Sequence, residues 1–103
     1  MVYVIQQGVN RNFSRALRFG ELKVMLMRDV FPDDAEERCR IMKYTLQSIL
    51  KDFNALTDYV LLTGDPVAIL LTGLVLASMG TFEFRVLKWD NENQQYYSVK
   101  LTV

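Results

Sequence analysis

Tyr59-Val60-Leu61-Leu62 is an unbroken apolar run, the pattern of a strand covered on both faces in the middle of a sheet. Gly64 ends it, where a residue without a Cβ can take a tight turn. Asp65 stands where its carboxylate can accept from the first free N–H groups of a helix, and Pro66 falls at the first helical position. From Val67 to Met79 the helical positions are apolar nearly all round, and Gly80 is a natural stop. A helix apolar on every face has to be buried in protein or lipid. The segment is about 13 residues, whereas a membrane span needs roughly 20. The prediction is therefore no membrane span and a helix wholly buried against a sheet, a second helix or a subunit interface.

The remaining pattern surrounds this centre. Val2 to Ile5 predicts a first strand, followed by Gln6-Gln7-Gly8. The next segment carries Arg11, Arg15 and Arg18 without an acid, and interleaves Phe13 and Phe19. Ser14 is placed to cap a short helical turn stopping at Gly20, with Arg15 and Arg18 on one side. Leu22 to Met27 predicts a second strand. Asp33 and Glu36 have capping-box spacing at the start of a helix expected over Asp34 to Phe53. Its apolar stripe is Cys39, Met42, Leu46, Ile49, Leu50 and Phe53. Beyond the central helix, Phe82, Phe84 and Val86 alternate with Glu83 and Arg85 in a strand over Thr81 to Trp89. A polar turn, Asp90 to Asn93, leads to a return strand over Tyr96 to Val103, with Tyr97, Val99, Leu101 and Val103 on one face.

The predicted order is β-β-α-β-α-β-β: one α/β (α+β) domain over residues 1–103, with a mixed five-stranded sheet, two main helices and a C-terminal β-hairpin. If the second and third strands are parallel, their crossover should be right-handed.

Charge is balanced at 12 basic and 12 acidic residues, which gives no global pull towards nucleic acid or a membrane surface. The sequence has no histidine and a single cysteine, Cys39, on the apolar stripe. The commonest general base and metal ligand are thus missing, and no intramolecular disulfide can form. No catalytic residue, metal site or cofactor is predicted. A cytoplasmic protein is the expectation, since the N-terminus lacks the basic and long apolar regions of a signal peptide.

Three segments, Phe19-Gly20-Glu21-Leu22, Leu61-Leu62-Thr63-Gly64-Asp65-Pro66-Val67-Ala68-Ile69 and Leu87-Lys88-Trp89-Asp90 with Tyr96-Tyr97, occur in the order FG(D/E)L, GDPxAI, LKWD…YY. In this the chain resembles a group of small uncharacterised phage proteins. The resemblance implies a phage-encoded protein acting in a bacterial cytoplasm or carried in a virion, and no reaction or ligand.

Four candidate sites remain. The turn at Asp65 ends a central strand. If the first strand is its parallel neighbour, Gln6, Asn10, Arg11 and Asn12 would form a ligand crevice with it; the plainer reading of Asp65 is a helix cap. Arg11, Arg15 and Arg18 with their phenylalanines have the make-up of a nucleic-acid patch, or of a solvated loop anchored by core aromatics. The acidic residues Asp29, Asp33, Asp34, Glu36 and Glu37 suit a cation or a basic partner, but more often serve a helix start. Trp89, Tyr96 and Tyr97 suit a protein interface, or a cross-strand pair. The expected function is a non-enzymatic interaction protein that binds a host or phage protein, or itself as a homo-oligomer. The alternatives are a ligand-binding or enzymatic domain at the crevice and a nucleic-acid binder.

Overall fold

Five strands join in one sheet, ordered β2-β1-β3-β4-β5, in a computed structural model that describes residues 1–8, 12–27 and 34–103. The elements are β1 (Val2–Gln6), a 3-10 helix (Ser14–Phe19), β2 (Leu22–Leu26), α1 (Ala35–Leu50), β3 (Tyr59–Leu61), α2 (Pro66–Ser78), β4 (Glu83–Asp90) and β5 (Gln95–Thr102). β1 runs parallel to β2 and β3, β3 runs parallel to β4, and β5 returns antiparallel along β4. The sheet is mixed, as the pattern predicts.

Alternation along the strands assigns each side chain to a face. Tyr3, Ile5, Val60 and Val86 point to one side, under Met42, Leu46 and Leu50 of α1 and Ala68, Val75 and Leu76 of α2. Val2, Val4, Leu61, Leu87 and Tyr96 point to the other, against Ala16 of the 3-10 helix. The chain steps from β1 outwards to β2, then back across to β3. Connections of one hand therefore place the 3-10 helix and α1 on opposite faces. All six residues of the predicted α1 stripe belong to or pack against the first core. Phe53 does so from the turn after the helix, edge-on to Tyr3 at 5.3 Å and to Phe84 at 6.4 Å.

Four expectations are corrected. First, α2 is not buried all round. Its inner side, Ala68, Thr72, Val75 and Leu76, is buried, whereas Leu70 and Leu74 are 71% and 67% exposed and Val67 is exposed too. The sheet offers one surface to rest on and α1 already lies alongside on that surface, so apolar composition alone cannot supply a second cover. Second, Ser14 is not the cap of its helix. It is the first residue of the 3-10 turn, and its N–H is held by Asn12 Oδ1 at 2.8 Å. Third, α1 ends at Leu50 rather than Phe53. Fourth, Asp34, expected inside α1, precedes it in the left-handed region at φ 59 without a side-chain cap bond. Asp33, the expected cap, lies outside the described residues, as does Asp29.

The end of α1 and the start of β3 are tied by Asp58. Its Oδ2 accepts from Asn54 N at 2.8 Å, and its Oδ1 accepts from the Met1 ammonium at 3.0 Å and the Thr57 hydroxyl at 3.2 Å. Burial pushes the Asp58 carboxyl up, but the Asn54 N–H, the ammonium and Thr57 together outweigh it and hold the group below the usual carboxylate range. A depressed folded pKa gives stability that is fully present above the unfolded value of about 3.9 and is lost as pH falls through the folded one. Asp58→Asn should therefore be less stable than the parent by about 1–3 kcal/mol near pH 6, since a buried hub of donors loses its charge. In urea titrations the gap should close below about pH 4. A gap that persists unchanged at low pH would contradict this role.

Candidate functional site

The crevice predicted beside Asp65 depends on β1 being the parallel neighbour of β3, and it is. From here the chain departs one way to β2 and the other way to β4, so the carboxyl ends of β1 and β3 flank a reversal of strand order. Ligands in open α/β sheets bind at such points. In this protein, however, the gap is bridged by a side chain. Gln6, at the end of β1 and 4% exposed, accepts from Asp65 N through Oε1 at 2.7 Å and donates from Nε2 to Met27 O at 3.2 Å. One amide thus links the ends of three neighbouring strands. Gly64 leaves room for it: at φ +105, a Cβ on Gly64 would sit 2.4 Å from Gln6 Oε1 and 2.5 Å from Gln6 Cβ.

The other described crevice residues serve the backbone as well. Asp65 Oδ1 accepts from Val67 N at 2.7 Å, capping α2 at its first free donors, with Pro66 at the first helical position as predicted. Asn12 holds Ser14 N. Asn10 and Arg11 lie outside the described residues.

Arg15 and Arg18 are three residues apart on the 3-10 helix, where such positions eclipse. With Ser14 and Gln95 they line a shallow depression of about 300 Å³. Arg18 is positioned by two contacts. Its Nη2 donates to Tyr96 O at 2.7 Å, and its guanidinium lies 4.4 Å over the Phe19 ring. Phe13 and Phe19 themselves pack against the second core, so they anchor the segment rather than present a stacking face.

Trp89, Tyr96 and Tyr97 do not form one patch. Trp89 stands directly opposite Tyr96 across the hairpin, rings edge-on with centroids 4.9 Å apart, on the face of the 3-10 helix. Tyr96 is buried, and Trp89 Nε1 donates to Asn91 Oδ1 at 2.9 Å. Tyr97 points to the opposite face and is 39% exposed. Among the described residues no three side chains are grouped to hold a metal ion, and no helix is long and apolar enough to cross a membrane.

FG(D/E)L and LKWD…YY meet in space with Leu61, whereas Ala68 and Ile69 of GDPxAI belong to or pack against the first core. Phe19, Leu22, Leu61, Leu87, Trp89 and Tyr96 all belong to or pack against the second core. A family model described as phage Pam3 gp32-like protein matches residues 1–103, the whole chain. The chain belongs to this phage protein family. No curated protein and no solved structure matches it.

Two surfaces that pattern reading missed come from the tertiary arrangement. One is the outer face of α2. The apolar residues were legible, but not which of them the sheet leaves bare. The other is the free edge of β5. Its alternating residues were visible, but not that β5 would end the sheet.

Proposed function

We propose that this phage protein is a non-enzymatic interaction protein that binds another phage or host protein, or copies of itself, through the outer face of α2. It would act in the bacterial cytoplasm or within the virion. The observation that carries this reading is a helix without a single charged residue whose Val67, Leu70 and Leu74 stand open to solvent. An exposed helix face is ordinarily polar, and clustered apolar exposure marks interaction surfaces. The crevice reading loses support because its described polar side chains hold the protein's own backbone. The nucleic-acid reading loses support because the aromatics beside Arg15 and Arg18 are packed inwards.

The test is the paired variant Leu70→Glu/Leu74→Glu. Sedimentation, and capture of partners from an extract of phage-infected host, should show association for the parent and its loss, about tenfold or more, for the variant. Thermal melting should shift little, since both positions are exposed. A parent that stays strictly monomeric and captures nothing, or a variant that associates equally well, would sink the proposal.

A further inference from the structure

The hairpin ladder defines which backbone groups of β5 face outwards. Val103 N donates to Phe82 O at 3.0 Å, continuing the register in which Leu101 faces Phe84, Val99 faces Val86 and Tyr97 faces Lys88. Antiparallel pairs alternate between hydrogen-bonded and non-bonded. Leu101, Val99 and Tyr97 therefore bond to β4, and Ser98, Lys100 and Thr102 turn their N–H and C=O groups to the free edge. The same alternation points Tyr96 O outwards, and Arg18 caps it at 2.7 Å. The open edge thus begins at Ser98 and has a built end-stop.

On the helix side of the sheet this edge is bordered by apolar side chains. Tyr97 and Leu101 are 39% and 43% exposed, and Phe82 and Val103 are open as well. Among the described residues no strand pairs with this edge, and an unpaired edge next to an apolar strip is a template for a further strand.

We infer that this edge pairs with a second copy of the chain, β5 against β5, extending the sheet across a two-fold axis. Reciprocity selects the occupant. With the axis at Val99, Ser98 exchanges hydrogen bonds with Lys100 of the second copy, and Lys100 with its Ser98. On the helix side Val99 meets Val99, and Tyr97 meets Leu101, all apolar. Centring the axis at Lys100 instead would oppose two lysines, and centring it at Ser98 would set Lys100 against Tyr96, whose outward carbonyl Arg18 already caps. With the axis at Val99 each Lys100 stays beside its own Glu83, 3.3 Å away. Balanced net charge adds no general repulsion between copies. Aromatic side chains offer about 150–250 Å² each when fully buried. With only 39% of Tyr97 and 43% of Leu101 left to bury, the strip and edge stay below the roughly 800 Å² per partner of a standard interface. The dimer is accordingly weak and concentration-dependent. This surface is separate from the outer face of α2, and extends the proposed role to assembly.

The test is sedimentation equilibrium on the full chain over a concentration series, with Ser98→Pro as the edge blocker. Ser98 N–H faces outwards, so proline removes a donor to the second copy and none to β4. The expected result is a reversible dimer for the parent and association weakened about tenfold or more in the variant. Should Ser98→Pro fold poorly, Val99→Cys in a Cys39→Ser background supplies the second readout. Facing non-bonded positions lie about 4.5–5.5 Å apart between Cβ atoms, so mild oxidation should trap a covalent dimer. A strictly monomeric parent, or a dimer that survives Ser98→Pro and is not trapped through Val99→Cys, would overturn the inference. A dimer abolished by Leu70→Glu/Leu74→Glu but not by Ser98→Pro would overturn it too, while leaving the role of the α2 face standing.

Discussion

Leu76→Ala will destabilise the protein by about 2–5 kcal/mol, whereas Leu74→Ala, two positions earlier in α2, will cost no more than about 0.5 kcal/mol. The two residues are chemically identical and equally apolar in their surroundings along the chain. They differ in what lies beside them. Leu76 is 0% exposed and belongs to the core shared with α1 and the sheet, so its truncation leaves a cavity that packed neighbours fill only in part. Leu74 meets solvent, and alanine there also favours the helix slightly. Urea denaturation at low protein concentration, where association is minimal, reads the contrast directly. Equal costs at both positions would mean that the outer face of α2 is covered within a single chain, and would remove the basis of the proposed interaction surface.

Gly64→Ala is the second large effect, about 3 kcal/mol. Its sources are distinct. A non-glycine residue at φ +105 carries backbone strain of about 1–2 kcal/mol. The new methyl would also displace Gln6, whose Cβ and Oε1 it would approach at 2.5 and 2.4 Å. Gln6 cannot swing aside freely, because its Cβ is fixed by β1 in the middle of the sheet. Its bonds to Asp65 N and Met27 O would be lost, adding about 1–3 kcal/mol for buried groups left unpaired. Because Gly64→Ala and Gln6→Ala break the same bonds, the double variant should cost clearly less than the sum of the singles. Chemical denaturation of the four proteins measures this coupling. Strict additivity would show that Gln6 does not strut the crevice.

Both predictions bear on how much was legible beforehand. The Asp65 cap and Pro66 were readable from three consecutive residues, because capping is a contact within one turn. The α1 stripe was readable because the helical period brings Cys39, Met42, Leu46 and Leu50 to one side whatever lies opposite. The crevice was legible only as a condition on strand order. Once the condition was met, the closing residue proved to be Gln6, whose neutral side chain gave no signal of bonding partners 21 and 59 residues away. The aromatic trio divided for a simpler reason. Adjacent residues in a strand point to opposite faces, so Tyr96 and Tyr97 were never able to share a patch.

By itself the sequence determined the types and order of the main elements, the Asp65 cap and Pro66 start of α2, and the lack of histidine. These follow from periodicities and contacts spanning a few residues. Only the tertiary structure decided that β1 and β3 are neighbours, that Gln6 fills the gap between them, that α2 buries one side and bares the other, and that β5 is an edge. Each of those depends on which distant segments compete for the same surface. That competition is settled by the whole chain's packing around one sheet, not by any local pattern.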